Sequence, residues 1–455
     1  MGRYNYKLIV VGSGAAGKTA ALLAAKAKIK TAIIENEDWG GSTLNTRDVP
    51  YNASLHFSHL YNEALDGARF GLSSKNLRFN YPTVTNWRNL AIKRAGGNSK
   101  KEFEEAGIAC FHGLAHFLGA HEISVGDQRI TGEKFVIATG SVLAENGITG
   151  TENVECYTPD TILKITRIPK AVFVVGAGSS GLEIAQYFAN LGVQVILADL
   201  AEKILPNEDI EVSQLMEQYL TEKSHIKVLT KTRVVSVEED EKSKKVIFIR
   251  GGQEKSVRVD TIVLATGVKP AIDLGLENAG VKTSKFGIKV NNSLQTSSKH
   301  IWAAGDVIGG HSSTEKAVYE ATLVASNIIK NGKATVNYNG MMHITNIIPQ
   351  VARVGLNEQE CKAMKKRVKV SLVSLSDASV SNTKDFRAGF IKMLADRKGV
   401  ILGATAVMPN AALVLQEVAM AVRYGLSVRE LAGTPHAANE WSDVVRLAAK
   451  KLANK

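Results

Sequence analysis

Residues 7–35 have the sequence KLIVVGSGAAGKTAALLAAKAKIKTAIIE, which is the most informative structural pattern in the chain. An apolar run is followed by Gly12, Gly14 and Gly17 in the spacing GxGxxG, then by an alanine-rich segment and a second apolar run that ends in Glu35. This order predicts a strand, a tight turn, a helix and a second strand parallel to the first. The glycines permit the turn, the approach of a pyrophosphate and the packing of helix on strand, while the strand-end carboxylate accepts hydrogen bonds from a ribose diol.

The same pattern returns in residues 171–199, AVFVVGAGSSGLEIAQYFANLGVQVILAD. Gly176, Gly178 and Gly181 repeat the glycine spacing, and in both copies the acid, here Asp199, lies 23 residues after the first glycine. The sequence therefore predicts two dinucleotide-binding domains. Asp199 would repel the 2′-phosphate of NADP by about 4 kcal/mol at an effective dielectric near 20, so we expect NADH to be preferred over NADPH.

Length and composition restrict the class of protein. At roughly 150 residues per domain, 455 residues predict about three domains, and 45% hydrophobic with 22% charged residues excludes a largely disordered chain. The three cysteines, Cys110, Cys156 and Cys361, are too few and too scattered for a disulfide scaffold or an iron–sulfur cluster, and we predict no metal site.

The charge pattern bears on partners and location. The formal net charge is +12, but the basic residues are spread out and do not interleave with aromatic residues, so we expect no nucleic-acid partner and see no indication of contact with a membrane surface. Lysines interrupt the longest apolar stretch, residues 20–34, which excludes a membrane span there, and the N-terminus does not have the layout of a signal peptide. We expect a cytoplasmic protein of enzyme size.

Further short motifs follow the two fingerprints. Residues 135–140 and 261–267 are apolar strands ending in Ala-Thr-Gly, and residues 301–306, IWAAGD, form an apolar strand that ends in a carboxylate beside a glycine. From about residue 338 the pattern changes to strands around 352–354, 368–375, 389–394 and 400–407, followed by helices at 411–424 and 442–452. This last part predicts an α+β domain of its own.

In this order, the motifs resemble the pyridine nucleotide-disulfide oxidoreductase family over nearly the full length of the chain. The resemblance implies an α/β fold with two Rossmann-like dinucleotide-binding domains, for FAD and NAD, and a C-terminal α+β dimerisation domain. It places the FAD-binding domain at residues 1–150 and 270–337, the NAD(P)H-binding domain at 151–269 and the interface domain at 338–455. It also implies a homodimer.

The resemblance assigns roles to individual residues. It implies an FAD site formed by the first fingerprint and a group of later residues, and an NAD(P)H site formed by the second fingerprint with Asp199. Glu183 corresponds to the family's glutamate near the nicotinamide. The remaining residues predicted to bind a cofactor are Gly41, Ser42, Thr139, Gly140, Gly267, Gly305 and Asp306.

The chain departs from the family where the family has its redox disulfide. There, a glycine pair is followed by TCLNxGCxPSK; residues 40–52 of this chain are GGSTLNTRDVPYN, with Thr43 and Asp48 at the cysteine positions and Asn52 at the lysine. The family's C-terminal HAHPTLSE corresponds to residues 436–443, HAANEWSD, with Ala438 at the catalytic histidine. Because neither a hydroxyl nor a carboxylate exchanges disulfides, we expect neither thiol–disulfide chemistry nor mercuric reduction.

These observations favour an FAD-dependent NAD(P)H:acceptor oxidoreductase that passes hydride from NADH to FAD and then to a quinone-like acceptor. The candidate catalytic residues are Glu183, Asp48, Thr43 and His436. Asp48 is either an acid that serves the acceptor or a solvated or capping aspartate, and His436 either reaches the partner's flavin site or is an ordinary interface histidine. The alternatives are a soluble transhydrogenase and a non-catalytic nucleotide-binding sensor or scaffold.

Overall fold

The computed structural model describes residues 4–73, 76–96, 99–240 and 243–454. The chain divides into two compact units, each built from three separate segments. The first unit comprises Met1–Ser54, Asn80–Glu145 and Thr266–Asn337, and the second comprises Leu55–Phe79, Asn146–Ala265 and Tyr338–Lys455.

The predicted strand, turn, helix and strand open the chain. Up to residue 145 the elements are β1 (Tyr6–Val11), α1 (Ala15–Lys26), β2 (Thr31–Glu35), α2 (Gly41–Asn45), α3 (Asp48–Asp66), α4 (Tyr81–Arg94), α5 (Lys100–Glu105), β3 (Ala109–His112), β4 (Ala115–Gly119), β5 (Glu122–Val125), β6 (Gln128–Ile137) and β7 (Ser141–Leu143).

The second copy of the pattern follows, and then the chain returns to the first unit. These elements are β8 (Ala171–Val175), α6 (Ser179–Asn190), β9 (Gln194–Ala198), α7 (Ile210–Glu222), β10 (Lys227–Leu229), β11 (Thr232–Asp240), β12 (Ser243–Arg250), β13 (Gln253–Val259), β14 (Thr261–Leu264), β15 (Val268–Pro270), β16 (Thr283–Ser284), β17 (Gly287–Ile288), β18 (Ile301–Ala303) and α8 (Thr314–Lys330).

The C-terminal part contains the predicted mixture of strands and helices. Its elements are β19 (Met342–Thr345), β20 (Gln350–Gly355), α9 (Glu358–Ala363), β21 (Lys369–Ser374), α10 (Ser379–Thr383), β22 (Phe390–Ala395), β23 (Ile401–Met408), α11 (Ala411–Val414), α12 (Gln416–Tyr424), α13 (Val428–Gly433) and α14 (Asp443–Ala453).

The main sheet of the first unit has the strand order β3-β2-β1-β6-β5-β4, and β18 also pairs with β6. Strands β3, β2, β1, β6 and β18 run parallel, so their carboxyl ends meet at one edge, where Val11 lies beside Ile34 and Ile137. Residues 8–10 are 0% exposed because helices and strands cover both faces of this parallel part. The edge therefore collects Gly12, Glu35 and the residues that follow β6 and β18.

The described residues of the second unit form three sheets. Strands β10-β9-β8-β14 form a parallel sheet, and Val175 at the end of β8 lies beside Ala198 and Leu264. Strands β11, β12 and β13 form an antiparallel sheet, and β19-β20-β23-β22-β21 form a five-stranded antiparallel sheet. The end of β8 thus brings the second glycine loop next to Asp199.

The third glycine of each fingerprint is required by contact. A Cβ on Gly17 would lie 1.8 Å from the Gly12 carbonyl oxygen, and a Cβ on Gly181 would lie 1.8 Å from that of Gly176. Both first glycines adopt left-handed backbone angles, with φ of 96° at Gly12 and 106° at Gly176. Strand and helix therefore pack at the same close distance in the two copies. Among the described residues, no helix is long and apolar enough to cross a membrane.

Candidate active site

The first glycine loop is closed by a buried acid. Glu35, 6% exposed at the end of β2, accepts hydrogen bonds at Oε2 from the Ser13 amide (2.9 Å) and hydroxyl (2.6 Å). Its Oε1 accepts from the amides of Asn36 (2.8 Å) and Glu37 (3.0 Å). These four donors fix the carboxylate beside the loop, where a ribose diol would share its oxygens.

The loop is adjacent to the segment that departs from the family pattern. Gly14, at the N-cap of α1, has no side chain that could cap the helix amides, so these remain open to an anion. A Cβ on Gly41 would lie 2.6 Å from Gly14 Cα, so α2 begins in contact with the loop. Ser42 is exposed, and its carbonyl accepts from the amides of Thr46 (2.9 Å) and Arg47 (2.7 Å).

Residues after β6 and β18 border the same edge of the sheet. Asp306 accepts hydrogen bonds from the hydroxyls of Ser141 (2.9 Å) and Ser312. Gly305, with φ of 85°, donates its amide to a carboxylate that is 0% exposed, that of Glu320 (2.7 Å). The edge therefore offers a positioned carboxylate to a polyol.

The turn after β6 combines a fixed hydroxyl with an open glycine. Thr139 Oγ1 donates to the Ala271 carbonyl at 2.7 Å. A Cβ on Gly140 would have no neighbour within 4 Å in the described part of the chain. The backbone at this glycine is therefore accessible to a cofactor, and the residues of this edge could hold FAD.

In the second glycine loop, the acid at the strand end accepts fewer hydrogen bonds than Glu35 does in the first. Asp199 accepts from the amides of Ala177 (2.5 Å) and Ala201 (2.7 Å), which uses two of about four acceptor positions on the carboxylate. A Cβ on Gly178 would have no neighbour within 4 Å among the described residues. Both features fit a dinucleotide whose pyrophosphate approaches Gly178 and whose ribose diol reaches Asp199.

Thr266 and Gly267 follow β14 in the chain and belong to the first unit. Thr266 Oγ1 is buried and has no hydrogen-bond partner within the described residues. Leaving such a group unsatisfied costs about 1–3 kcal/mol, which a bound ligand would remove. A Cβ on Gly267, where φ is 101°, would likewise meet nothing within 4 Å in the ranges that the structure describes.

Thr43 and Asp48 are brought together by a residue that the sequence analysis missed. Thr43 Oγ1 lies 3.0 Å from Thr314 Oγ1, and Thr314 donates a hydrogen bond to Asp48 Oδ2. Thr314 is the first residue of α8, and its neighbour Ser313 caps that helix by accepting from the Lys316 amide (3.2 Å). A hydroxyl at a helix start usually indicates a cap, so the sequence carried no pattern for this contact.

The environment of Asp48 shifts the pKa of its carboxyl upward. Burial raises the pKa of its carboxyl, as do the negative charges of Glu315 and Asp306, whereas the Thr314 hydrogen bond and the charge of Arg47 lower it. The net result is a pKa above that of an ordinary aspartate. Asp48 is therefore not a fully solvated side chain.

Glu183 lies on α6 and is held from the C-terminal sheet. Its Oε1 accepts from the Asn346 amide at 2.7 Å. One turn further on, Gln186 donates to the Ile348 carbonyl (2.8 Å) and accepts from the Ile348 amide (2.6 Å). The helix that follows the second glycine loop is thereby fixed to the segment between β19 and β20.

His436 is enclosed within the second unit. Its side chain is 3% exposed, Nδ1 lies 2.7 Å from the Thr434 carbonyl, and Nε2 lies 2.9 Å from Glu417 Oε2. Since a carbonyl only accepts, Nδ1 carries a hydrogen, and the second contact holds one proton between Nε2 and the carboxylate. Burial raises the pKa of Glu417, while His436 lowers it. Both ring nitrogens are therefore engaged.

Comparison with known proteins decides the family. The pattern of the pyridine nucleotide-disulphide oxidoreductases matches residues 6–321, and the pattern of their dimerisation domain matches residues 341–449. The chain belongs to this family. The expectation drawn from the sequence motifs is confirmed, as is the α/β fold class with its C-terminal dimerisation domain.

Individual relatives cover nearly the whole chain. Mercuric reductase from Bacillus cereus is 31% identical over 438 residues, which are 95% of this chain and 69% of that protein. Dihydrolipoyl dehydrogenase from Thermus scotoductus is 31% identical over 455 residues, covering 98% of this chain and 97% of that protein. The Cu(II) complex of the HOCl-induced flavoprotein disulfide reductase RclA from Escherichia coli has the same fold, with a TM-score of 0.87, 23% identity and coverage of 98% and 99%.

The family membership establishes the class of chemistry. Its enzymes are FAD-dependent oxidoreductases that use NAD(P)H, so the cofactors predicted from the two fingerprints are confirmed at this level. The match to the dimerisation domain supports a homodimer. The family name refers to disulfide reduction.

Proposed function

We propose that this protein is an FAD-dependent NAD(P)H:acceptor oxidoreductase that passes two electrons to a quinone-like acceptor rather than to a disulfide. The observation that carries the proposal is the contact between Thr43, Thr314 and Asp48. The two positions that correspond to the family's redox cysteines hold a hydroxyl and a carboxyl, joined through a third side chain. None of these groups can form or break a disulfide bond.

The three cysteines support the same conclusion. Cys110, Cys156 and Cys361 are free thiols and make no vicinal pair. Burial raises the pKa of each thiol, which disfavours the thiolate that disulfide exchange requires. The sequence positions of the three thiols and the direction of their pKa shifts both support the proposal.

The cofactor roles follow from the two glycine loops. We assign Glu35 and Asp306 to the polar groups of FAD and Asp199 to the ribose of NADH, with the open helix amides beside the phosphates. When bound, FAD supplies the capacity to take up a hydride and to release two electrons to an acceptor. Glu183, fixed on α6, is assigned to the nicotinamide side, and the C-terminal domain to a homodimer.

The experiment compares acceptors in the purified holoprotein under anaerobic conditions. We expect NADH to bleach the oxidised flavin without the long-wavelength band that a neighbouring thiolate produces, and turnover with a water-soluble benzoquinone but not with lipoamide or glutathione disulfide. A variant with Cys110, Cys156 and Cys361 all changed to Ser should keep this activity. Disulfide reduction that disappears in the triple variant would refute the proposal.

Two other outcomes separate the alternatives. Formation of NADPH from NADH and NADP⁺ without another acceptor would favour transhydrogenation, which the negative charge of Asp199 disfavours. Flavin that NADH reduces and that only air slowly reoxidises would favour a sensor or scaffold.

A further inference from the structure

Thr43, Thr314 and Asp48 form a continuous hydrogen-bonded chain from three separate helices. Thr314 lies 271 residues from Thr43 and 266 residues from Asp48 in the sequence. A hydroxyl has one hydrogen to donate, so when Thr314 donates to Asp48 its oxygen accepts from Thr43. Rotation of the two hydroxyls reverses the direction of the chain, so a proton on the carboxyl can be replaced along it.

This chain lies beside the first glycine loop. Gly41 contacts Gly14 of that loop, and Thr43 follows two residues later in the same short helix. The negative charges of Asp306, which follows β18, and of Glu315 on α8 both act on the Asp48 carboxyl. The carboxyl of Asp48 is thus placed next to the edge of the sheet that could hold FAD.

A purely structural role explains Asp48 less well. An aspartate in the first turn of a helix, as Asp48 is in α3, is normally stabilised as an anion by the helix dipole. Here burial and two neighbouring carboxylates raise the pKa of Asp48, although the Thr314 hydrogen bond and the charge of Arg47 lower it. A raised pKa brings the carboxyl closer to the working pH, where a general acid is most effective.

We propose that Asp48 donates a proton to the acceptor and that Thr314 is the positioning residue that holds this carboxyl and connects it to Thr43. The inference rests on the proposed function and narrows its acceptor to compounds that take up protons together with electrons, of which quinones are the chemical class. Acceptors that take electrons alone do not need this group.

The overall step balances with one external proton. The acceptor gains two electrons and two protons, so that two C=O groups become two C–OH groups. NADH supplies one hydride, which is two electrons and one proton, and leaves as NAD⁺. The Asp48 carboxyl supplies the second proton, and solvent returns a proton to the carboxylate by way of the threonine hydroxyls.

The first test measures a ratio in the holoprotein. Anaerobic NADH-dependent turnover is measured with a benzoquinone and with ferricyanide, which accepts one electron and no proton. General acid catalysis typically contributes about 10²- to 10⁴-fold, so Asp48→Asn should lower the benzoquinone-to-ferricyanide ratio by at least about tenfold. An unchanged ratio in a variant that still turns over would overturn the role of Asp48 alone. A wild type that reduces neither acceptor would overturn the proposed function as well.

The second test does not depend on turnover. Infrared spectroscopy of the protein should show a protonated carboxyl band that persists to higher pH than the bands of exposed carboxyls and is missing in Asp48→Asn. Because the Thr314 hydrogen bond lowers the pKa of Asp48, Thr314→Val should move the titration of this band, and the pH profile of benzoquinone reduction, to higher pH. Thr314→Ser keeps the hydroxyl and should restore both. Absence of an Asp48-dependent band, or equal behaviour of the Val and Ser variants, would overturn the proposal.

Discussion

Lys392 is the centre of a buried ion cluster in the second unit, and its removal is expected to destabilise that unit. The side chain on β22 is 2% exposed, and Nζ lies 2.7 Å from Glu358 Oε2, 3.0 Å from Glu211 Oε1 and 3.1 Å from Asp209 Oδ2. Burial lowers the pKa of Lys392, but hydrogen bonds to the three carboxylates outweigh burial and raise it above its ordinary value. The ammonium therefore stays charged and compensates these acids.

The size of the expected loss in the free energy of unfolding depends on which carboxylate is left buried without a positive partner. The side chain of Asp209 is 2% exposed, whereas those of Glu211 and Glu358 are 35% and 27% exposed and can turn towards water. Breaking a buried pair costs about 3–5 kcal/mol because one charge is left uncompensated. We expect Lys392→Met, which keeps the alkyl chain, to lower the free energy of unfolding by about this amount, and not by three times as much.

The assay is urea unfolding followed by circular dichroism, with a matched double variant. Asp209→Asn removes the stranded charge, so Lys392→Met combined with Asp209→Asn should be more stable than Lys392→Met alone. A Lys392→Met variant whose free energy of unfolding lies within about 1 kcal/mol of the wild type, the cost of an average substitution, would contradict this expectation, as would a double variant that recovers no stability.

The same cluster predicts a dependence on pH. Hydrogen bonds from Lys392 and Lys362 lower the pKa of Glu358 in the folded state. The corresponding stability is present above the ordinary pKa of a glutamate and is lost as the pH falls through the folded-state pKa. The raised pKa of Lys392 gives stability that is already complete at neutral pH, since this lies below the ordinary pKa of a lysine. The difference between wild type and Lys392→Met should therefore shrink on acidification.

Three further predictions concern the second glycine loop and the buried histidine. Gly181→Ala should abolish correct folding because its Cβ would lie 1.8 Å from a carbonyl oxygen, which thermal unfolding would show. Gly178→Ala should fold, because no described residue contacts the new Cβ, but it should bind NADH more weakly in a titration. Asp199→Asn should raise the ratio of kcat/KM for NADPH to kcat/KM for NADH by about tenfold or more, because removing about 1.4 kcal/mol of repulsion changes an affinity tenfold. An unchanged ratio would contradict the assignment of Asp199 to the ribose. Glu417→Ala should lower the free energy of unfolding by about 1–3 kcal/mol, measured by urea unfolding, because it removes the carboxylate 2.9 Å from Nε2 of the buried His436 side chain.

The nucleotide-binding part of the fold could be predicted because its constraints are local. In the pattern predicted for residues 171–199, the first strand is β8 and the helix is α6, which begins at Ser179. This geometry is fixed by contacts between glycines a few residues apart, such as that of Gly181 with the Gly176 carbonyl. It does not depend on the course of the chain beyond the loop. The helix predicted at 411–424 is interrupted once, at Leu415, and its buried positions keep helical spacing across the interruption.

The antiparallel sheet of β11, β12 and β13 was not predicted. β13 has the sequence QEKSVRV and is mostly exposed, so it lacks the apolar alternation that indicates a strand. Its conformation depends on pairing with β12, where Val246 lies opposite Val257. A strand stabilised by its neighbour in this way leaves little pattern in its own sequence.

The candidate site also has a part that the sequence predicted and a part that only the fold brings together. Comparison of short motifs identified Thr43 and Asp48 as departures from the family, but their connection needs Thr314, which the fold brings in from 266 residues beyond Asp48. A pair of cysteines stores two electrons as a broken or formed S–S bond, whereas a buried carboxyl stores a proton. A quinone-like acceptor takes up protons together with its electrons. Asp48, whose pKa is raised, is the residue that we propose as the proton donor. Under the proposed function, the two substitutions act together as one change of acceptor.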